Sequence, residues 1–364
     1  MNLNVKRLTV KYNDLVVGYL EELVNGEIAF QYDRDWILKG FSISPFSLPL
    51  EDKVFISKSE YFGGLFGVFN DSLPDGWGEL LVRRMLLKRG LNFDSISSLS
   101  KLSLLSGNGL GALCYIPTQS DSKTKDYLNL DQLAQETKKI LGSNNGVSDF
   151  DLIYELGGAS GGARPKVHVN IEKEEWIIKF PSSMDPLEIG KLEYQANIDA
   201  KSVGIDVNEF KLFPSKRCSG YFGAKRFDRT DSRRVHMVSL SSLLETTHRI
   251  PSLDYMHLFQ VIKKICVKKE DLYEAFRRMC FNVIYENKDD HGKNFAFLYD
   301  EDLKGYRISP FYDITKTKEK FEHEMTVLGE GNPDKKVLID LAKEFDLSMK
   351  MCEKIIDDIS KLRS

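Results

Sequence analysis

The sequence predicts a mixed α/β chain in which strands dominate the first two thirds and helices dominate the last third. Short runs of β-branched and aromatic residues, separated by glycines and polar turns, recur up to about residue 230. Apolar residues at helical spacing are most regular beyond residue 270. A length of 364 residues is about twice that of a typical domain. We therefore expect two or three sub-domains with substantial cores.

The composition is that of an ordinary globular protein, with 42% hydrophobic and 29% charged residues. The 51 lysines and arginines against 54 aspartates and glutamates leave a net charge of -3, which gives no overall attraction to nucleic acid or to an anionic membrane. The five cysteines are widely spaced and form no C-x-x-C pair, so neither a disulfide framework nor a zinc site is indicated. A reducing, cytoplasmic environment is expected.

No membrane contact is expected from the apolar segments. The longest uncharged stretch, residues 102–120, is interrupted by serines, glycines and an asparagine, so we interpret it as a loop and a buried strand. The first seven residues lack the apolar core of a signal peptide.

The N-terminal third predicts a small β-rich sub-domain. Residues 8–12 and 16–20 flank a short polar turn, as in a β-hairpin, and residues 29–32 form a predicted third strand. An amphipathic helix is predicted over residues 75–90. The glycine-containing loop 106–111 leads into a strand instead of a helix, so we interpret it as structural and not as phosphate-binding.

The polar segment 120–126 contains no apolar residue before Tyr127 and marks the predicted end of this sub-domain. We predict a β-rich sub-domain over residues 1–120, a second part with a glycine-rich loop over residues 127–230, and a mostly helical part over residues 231–364.

The middle third contains a glycine-rich loop that leads directly into a strand. Residues 157–162 include four glycines, which let backbone N–H groups approach an anion, and Arg164 and Lys166 add positive charge. A flexible linker is the alternative interpretation. Linkers seldom continue into a strand with basic residues at the junction, so an anion-binding loop is favoured.

The next predicted strand, around residues 176–180, carries Lys179 among apolar neighbours. Desolvating a lysine costs free energy unless the ammonium faces an anion. The helix that follows is predicted to be capped by Asp185, with Pro186 in its first position. Its apolar stripe comprises Ile189, Leu192, Ala196, Ala200 and Val203. Glu193 lies beside this stripe, where it either pairs with Lys179 or is a solvated helix charge.

The final third contains the most regular helical pattern, over residues 272–284, and a polar cluster directly after it. Asp289 precedes Asn294 by five residues, and a predicted hairpin separates Asn294 from Asp313. The same five-residue interval separates the base from the metal-binding asparagine in the protein-kinase catalytic loop. Phosphoryl transfer needs a carboxylate that orients and deprotonates the attacking hydroxyl, and oxygen ligands for Mg²⁺. Asp289 suits the first task, and Asn294 and Asp313 suit the second.

Together with the glycine loop, the strand lysine and the helix glutamate, this order predicts a two-lobed protein-kinase-like fold that binds ATP between its lobes. The role of base stays open between Asp289 and Asp290. We interpret His291 as bracing the loop, because no other histidine or cysteine lies at metal-ligand spacing. Three lysines after Asp313 suggest an activation segment, namely Lys316, Lys318 and Lys320.

The chain resembles the HipA-like serine/threonine kinases, which are toxins of bacterial toxin–antitoxin systems. The resemblance is carried by residues 161–166 (GGARPK), 177–181 (IIKFP), 225–229 (KRFDR), 289–294 (DDHGKN) and 310–314 (PFYDI). Residues 73–75 (LPD) and 111–113 (GAL) resemble the N-terminal sub-domain of that family. The resemblance therefore covers nearly the whole chain.

The resemblance implies that Asp289 is the catalytic base and that Asn294 and Asp313 bind Mg²⁺. It implies that Lys179 contacts the phosphates of ATP with the support of Glu193, and that the strand from Lys225 leads to the adenine-binding hinge. The other residues implied to bind ATP are Ser160, Gly161, Gly162, Ala163, Lys166, Lys225, Phe227 and Lys293.

The resemblance also implies partners. Similar proteins phosphorylate a serine of an aminoacyl-tRNA synthetase, which halts translation and growth. They bind a helix-turn-helix antitoxin, through which they contact DNA indirectly. One alternative is a catalytically weak, kinase-fold binding module that acts with the antitoxin as a repressor complex, although every expected catalytic side chain is present. A metabolite kinase is a third possibility.

Two positions depart from the family pattern. Members commonly carry an inhibitory, autophosphorylated serine seven residues before the lysine of the glycine loop, where this chain has Ala159 and the neighbouring Ser160 is the remaining candidate. The hinge position that often holds an acid is Lys225, which leaves adenine contacts to backbone groups.

Overall fold

The computed structural model describes residues 4–104, 109–119, 129–142, 150–230, 233–317 and 319–363. The chain divides into two compact units. The first comprises residues 1–191 and 209–236, and the second comprises residues 192–208 and 237–364. The predicted division at residues 120 and 230 stays a prediction, and the polar segment proposed as its first boundary lies outside the described residues.

The first unit begins with a five-stranded antiparallel sheet in the order β4-β3-β2-β1-β5. Its strands are β1 (Arg7–Tyr12), β2 (Leu15–Glu22), β3 (Ile28–Tyr32), β4 (Val54–Ile56) and β5 (Leu113–Ile116). The predicted hairpin and third strand are confirmed. Asn13 occupies the hairpin turn with a φ of 52°, a left-handed conformation that asparagine tolerates.

Four helices accompany this sheet among the described residues. They are α1 (Arg34–Lys39), α2 (Gly67–Asn70), α3 (Gly76–Lys88) and α4 (Ser98–Leu104). The predicted helix over residues 75–90 is confirmed as α3, which buries Trp77, Leu81 and Met85. Neither α1 nor β4 was predicted from the sequence.

The second sheet of the first unit has four antiparallel strands in the order β6-β7-β9-β8. They are β6 (Lys166–Ile171), β7 (Glu174–Lys179), β8 (Phe210–Phe213) and β9 (Tyr221–Lys225). The helices α5 (Leu130–Gly142) and α6 (Phe150–Gly157) precede it. Trp176, Ile178 and Phe180 bury one face of β7 and its extension in a core that also contains Trp77 and Leu81 of α3. The N-terminal sub-domain and this sheet therefore share one core.

The second unit combines a three-stranded sheet with helices. The sheet has the order β10-β11-β12, with β10 (Met237–Ser239), β11 (Ala296–Asp300) and β12 (Gly305–Ile308). Its helices include most of α7 (Ile189–Ser202), α8 (Leu240–Leu243), α9 (Tyr255–Ile265), α10 (Glu270–Tyr285), α11 (Lys335–Glu344) and α12 (Met349–Ser360). The predicted core helix, hairpin and helical tail are confirmed.

The start predicted for α7 is wrong, and its predicted buried stripe is right at Ala196 and Ala200 but wrong at Leu192. The helix begins at Ile189, because the Asp185 carboxylate accepts a hydrogen bond from the Ser182 N–H (2.9 Å) instead of capping a helix. Leu192 is 56% exposed, whereas Glu193 is only 2% exposed. Since Glu193 lies on the buried face with Ala196, it is not a solvated helix charge.

Every helix in the described part of the chain is too short or too polar to cross a lipid bilayer. The uncharged stretch from residue 102 contains the expected strand, β5, but it begins with the end of α4, which was not predicted. Residues 105–108 and 120 lie outside the described ranges.

Candidate functional site

The candidate catalytic loop follows α10. The helix ends at Tyr285, and Glu286 adopts the left-handed conformation (φ 64°) that turns the chain out of the helix. Asp289 lies three residues further, with a side chain that is 40% exposed. Its backbone carbonyl accepts a hydrogen bond of 2.7 Å from the Asn294 carboxamide. The predicted base and the predicted amide ligand are therefore directly linked.

Asp290 is in a different environment from its neighbour. Its side chain is completely buried, and it accepts hydrogen bonds from the Tyr255 hydroxyl (2.8 Å), His323 Nδ1 (2.8 Å) and the Glu324 N–H (2.9 Å). Both of its oxygens are therefore occupied by protein groups. Of the two carboxylates left open by the sequence, the exposed Asp289 is the better candidate base.

The hairpin β11–β12 brings the two predicted metal ligands to the same end of the second unit's sheet. Ser309 donates its N–H to the Ala296 carbonyl (2.8 Å), so the segments before β11 and after β12 lie side by side. Asn294 precedes this closing bond and Asp313 follows it. The Tyr312 hydroxyl also donates to the Lys293 carbonyl at 2.5 Å. This contact joins the residues directly before Asn294 and Asp313.

The donor chemistry of this end of the hairpin fits Mg²⁺. A carboxamide oxygen and a carboxylate are hard oxygen ligands, and Mg²⁺ sites in phosphoryl-transfer enzymes commonly take one or two protein ligands and leave the rest to phosphates and water. Asp313 has a φ of 59°, a strained backbone conformation for an aspartate. Among the described residues no group of three or more His, Cys, Asp or Glu side chains could hold a metal.

The role predicted for His291, bracing the loop, stays a prediction. Its ring lies 5.2 Å from that of His248. Its Nδ1 is buried and has no hydrogen-bond partner among the described residues.

Sequence reasoning missed the specific contact made by Lys320. Its ammonium lies 2.5 Å from Asp289 Oδ1 and 2.7 Å from Glu324 Oε1. Burial alone would lower the pKa of Lys320, but its hydrogen bonds to the two carboxylates outweigh that effect and raise it. The lysine run after Asp313 was the only signal, and Lys318 of that run lies outside the described residues.

The glycine-rich loop of the first unit packs on the start of α3. The Gly162 N–H donates to the Asp75 carboxylate, and the Gly162 carbonyl accepts from the Trp77 N–H (2.9 Å). Ser160 is 1% exposed, and its hydroxyl donates to the Gly157 carbonyl (2.5 Å). The loop is therefore held by contacts within the unit.

Close packing explains part of the glycine pattern. A Cβ on Gly76, whose φ is 47°, would lie 2.5 Å from the Gly162 carbonyl oxygen, and a Cβ on Gly78 would lie 2.2 Å from that of Ser160. At Gly162, with a φ of 79°, a side chain would meet the Lys166 ammonium. Glycine is needed at positions 76 and 78 because two backbone segments approach each other, and at position 162 because of its positive φ. Ala163, also predicted to bind ATP, follows in the same loop.

The predicted strand lysines lie opposite each other in the second sheet. Lys166 of β6 pairs with Lys179 of β7, and successive residues of a strand face opposite sides, so both lie on the face that is not part of the Trp176 core. The Lys166 ammonium donates to the Gly161 carbonyl (2.5 Å). The Lys179 ammonium lies 5.7 Å from the centre of the Phe222 ring. Two positive charges on one face can meet an anion, as the sequence predicted for Lys179.

Glu193 belongs to the second unit and Lys179 to the first. Within its own unit, Glu193 is buried and its carbonyl accepts a hydrogen bond from the Asn197 side chain (2.8 Å). The proposed pairing of Glu193 with Lys179 stays a prediction.

The hinge candidate Lys225 has its side-chain ammonium engaged with Glu174 and, at 3.7 Å, with Glu209. Its N–H donates to the Glu209 carbonyl (2.9 Å), and the next N–H, of Arg226, donates to the Glu175 carbonyl (2.8 Å). Neither N–H is available to adenine.

A buried ionic cluster that sequence reasoning did not identify follows Lys225. Arg226 and Arg229 both contact Asp228, at 2.7 Å and 3.0 Å. Although burial alone would raise the pKa of Asp228, the two guanidinium groups hold it far below its usual range. The Gly111 N–H also donates to Asp228 (2.6 Å), and the Gly109 carbonyl accepts from both arginines. The loop before β5 thus has the structural role that the sequence indicated.

The cluster also affects a histidine on the sheet. Arg226 lies 3.3 Å from His168 Nδ1. Burial, reinforced by the charge of Arg226, lowers the pKa of His168 well below its ordinary value. His168 is therefore neutral at pH 7.

Comparison with known protein families matches both parts of the chain. Residues 8–116 match the HipA N-terminal domain, and residues 158–364 match the HipA-like C-terminal domain. Two curated relatives come from Sinorhizobium fredii. "Putative kinase Y4dM" is 28% identical over 196 residues, which cover 48% of this chain and 47% of that protein. "Putative kinase Y4mE" is 23% identical over 352 residues, which cover 86% of this chain and 78% of that protein. The chain thus spans about half the length of the first of these relatives.

A solved structure shares the fold. It is HipA of Shewanella oneidensis MR-1, determined in a toxin–antitoxin complex with HipB and operator DNA. It aligns over 97% of this chain and 88% of its own with a TM-score of 0.75 and 17% sequence identity. The predicted kinase-like α/β fold class is confirmed by this likeness.

Proposed function

Because the chain belongs to the HipA family, we propose that it is an ATP-dependent serine/threonine protein kinase that transfers the γ-phosphate to a serine of a protein substrate. The finer proposal follows the family resemblance: the substrate is a translation-related protein such as an aminoacyl-tRNA synthetase, and its phosphorylation inhibits growth.

One observation carries this proposal: the two adjacent aspartates of the catalytic loop lie in different environments. Asp290 is buried and engaged by three protein donors, whereas Asp289 is 40% exposed and linked through its carbonyl to Asn294. A general base must reach the proton that it removes, to within about 2.6–3.2 Å between heavy atoms. The exposed side chain of Asp289 is open to the approach of a substrate hydroxyl, whereas the buried side chain of Asp290 is not, which supports Asp289 as the base.

The roles proposed for the other residues follow from their chemistry. Bound Mg²⁺ would neutralise charge on the phosphates of ATP. Asn294 and Asp313 would hold the metal through side-chain oxygens, and Asp289 would orient the substrate hydroxyl and accept its proton. In the first unit, Lys179 and Lys166 would supply positive charge for the phosphates, and the loop residues Ser160 to Ala163 would contribute backbone N–H groups. Phe227 and Lys293 complete the proposed ATP contacts.

A partner is part of the proposal. The Shewanella oneidensis relative was solved with HipB and operator DNA. We propose that this chain likewise binds a helix-turn-helix antitoxin and contacts DNA only through it.

The test uses radiolabelled ATP. Purified wild-type protein and Asp289→Asn are incubated with γ-labelled ATP, Mg²⁺ and a cell lysate, and the labelled macromolecule is identified by mass spectrometry. We expect the wild type to label a protein serine and the variant to lose at least about 100-fold in transfer, because a general base contributes about 10²–10⁴-fold. Nucleotide binding, measured by calorimetry, should be largely retained. Asp340→Asn on α11, which removes an exposed carboxylate, is the matched control.

The outcomes separate the alternatives. Full transfer by Asp289→Asn would refute the mechanism, because Asp290 is already bonded to protein groups. Label in a small molecule would indicate a metabolite kinase. Absence of transfer by the wild type, with retained antitoxin binding, would indicate a kinase-fold binding module.

A further inference from the structure

The side chain that contacts the proposed base belongs to a lysine of a separate segment. Lys320 Nζ lies 2.5 Å from Asp289 Oδ1, and no other described side chain bonds to that carboxylate. Both side chains are partly exposed, 35% for Lys320 and 40% for Asp289. An exposed aspartate without a partner would sample several rotamers. The ammonium therefore selects one orientation of the proposed base and leaves Oδ2 to accept a further donor.

Lys320 is itself held from two sides. Glu324 Oε1 lies 2.7 Å from the same ammonium, four residues further along the chain. The carbonyl of Lys320 accepts a hydrogen bond of 3.1 Å from Lys288 Nζ, next to Asp289 in the catalytic loop. Because both its backbone and its ammonium are bonded, the lysine does not pay the full entropic cost of a typical surface ion pair.

The described residues on either side of Lys320, Thr317 before it and residues 321–324 after it, are bonded to the catalytic loop. Before Lys320, the Thr317 N–H donates to the Glu286 carbonyl (3.0 Å), and the Thr317 hydroxyl accepts from the Lys288 N–H (2.6 Å). After it, His323 and Glu324 both donate to Asp290. The position of Lys320 relative to Asp289 is therefore determined by contacts on either side of it, all within the second unit.

We propose that Lys320 is a positioning residue for phosphoryl transfer, which holds the Asp289 carboxylate in the orientation that accepts the proton of the substrate hydroxyl. This inference rests on the proposed function and adds a residue to it. Lys320 acts through Asp289 and is not itself required to touch ATP or the substrate. Its removal should therefore slow transfer without weakening nucleotide binding.

The test compares Lys320→Met and Lys320→Arg with the wild type in steady-state transfer to the labelled substrate. We expect Lys320→Met to lower kcat about 10- to 100-fold with little change in the KM for ATP, because misplacing a reacting group costs about that much. Lys320→Arg should recover part of the loss, since a guanidinium can also bond to the carboxylate. The control is Lys335→Met, which removes another exposed lysine–aspartate pair (Lys335–Asp357, 3.0 Å) of the second unit.

A double variant distinguishes positioning from a general structural role. If Lys320 acts through Asp289, then Asp289→Asn with Lys320→Met should transfer phosphate no more slowly than Asp289→Asn alone in single-turnover measurements. If the rate of the double variant instead falls by the product of the two single-variant losses, the inference is overturned. Thermal denaturation of each variant shows that it is folded.

Two further outcomes have distinct meanings. Unchanged or increased kcat in Lys320→Met, with an active wild type, would overturn the inference alone; an increase would mean that the lysine blocks Asp289. Absence of transfer by the wild type would overturn the proposed function and this inference with it.

Discussion

Two loops can be compared: the glycine-rich loop of the first unit and the catalytic loop of the second. Hydrogen bonds from distant segments of the same unit hold each loop in place, but the two loops differ in which side chains and N–H groups remain available to a ligand. In the glycine loop, the groups predicted to bind phosphate are already bonded to the protein: the Gly162 N–H to Asp75 and the Lys166 ammonium to the Gly161 carbonyl. In the catalytic loop, Asp290 takes the structural bonds and Asp289 remains 40% exposed.

This difference shows how adjacent residues can divide two tasks. In the catalytic loop, one aspartate stabilises the fold and its neighbour is available to a substrate. In the glycine loop, the Gly162 N–H would have to serve both purposes, so it could bind phosphate only by leaving Asp75, whereas the Lys166 ammonium has three donors and its bond to the Gly161 carbonyl uses one of them. The buried hydroxyl of Ser160, bonded to Gly157, would likewise have to leave its partner before it could be phosphorylated.

The largest expected effect is on the free energy of unfolding, and it tests whether Asp290 has the structural role and Asp289 does not. Asp290→Ala leaves the Tyr255 hydroxyl, His323 and the Glu324 N–H without their acceptor. We expect a loss of about 3–5 kcal/mol in the free energy of unfolding, as for removal of one partner from a buried charged network. Urea denaturation followed by circular dichroism measures it. Asp289→Ala, which breaks only a partly exposed pair, should cost about 0–1 kcal/mol; equal losses for the two variants would contradict the division of tasks.

A pH dependence of the free energy of unfolding, of intermediate size, is expected from histidines of the first unit. Burial lowers the pKa of His236 to about 4, and its Nε2 lies 2.8 Å from the Ile43 carbonyl. In the unfolded chain, the imidazole of His236 takes up a proton as the pH falls below its ordinary pKa of about 6.5, whereas in the folded protein it stays neutral until about pH 4. The free energy of unfolding therefore falls by about 3 kcal/mol as the pH drops from 6.5 toward 4. His168, whose pKa is also lowered, adds in the same direction.

The check compares urea denaturation at pH 7.5 and pH 5 for the wild type and for His236→Gln. Glutamine can donate to the same carbonyl but does not titrate, so the difference between the two pH values should shrink. His248→Gln, in the second unit, is the control. An unchanged difference in His236→Gln would show that this histidine does not cause the acid sensitivity.

The smallest expected effect tests how the glycine loop is held. The indole N–H of Trp77 donates to the Lys166 carbonyl (3.0 Å), and that of Trp36 donates to the Phe41 carbonyl (2.9 Å) elsewhere in the same unit. Substitution of either by phenylalanine should cost about 1–3 kcal/mol, because a buried carbonyl loses its donor. Only Trp77→Phe should increase hydrogen exchange in residues 158–164. Equal exchange in both variants would mean that the loop does not depend on α3.

Much of the fold could be predicted from the sequence. The hairpin of β1 and β2, the helices α3 and α10, and the β11–β12 hairpin follow from apolar periodicity and turn residues, which are local signals. The spacing from Asp289 to Asn294 predicted two residues that are in fact linked by a hydrogen bond. The start of α7 was predicted wrongly, because a plausible cap at Asp185 was engaged by Ser182 instead.

The sequence by itself determined several of the strands and helices, the family and the candidate side chains, because these depend on residues close together in the chain. Only the tertiary structure decided which aspartate of the pair is buried, that Lys320 contacts Asp289 across 31 positions, and that Arg226 bonds to Gly109 across 117. Burial and ion pairing depend on which distant segments meet, and local periodicity carries no information about those encounters. For this reason Asp289 and Asp290, identical as residues and adjacent in the chain, could be distinguished only after folding.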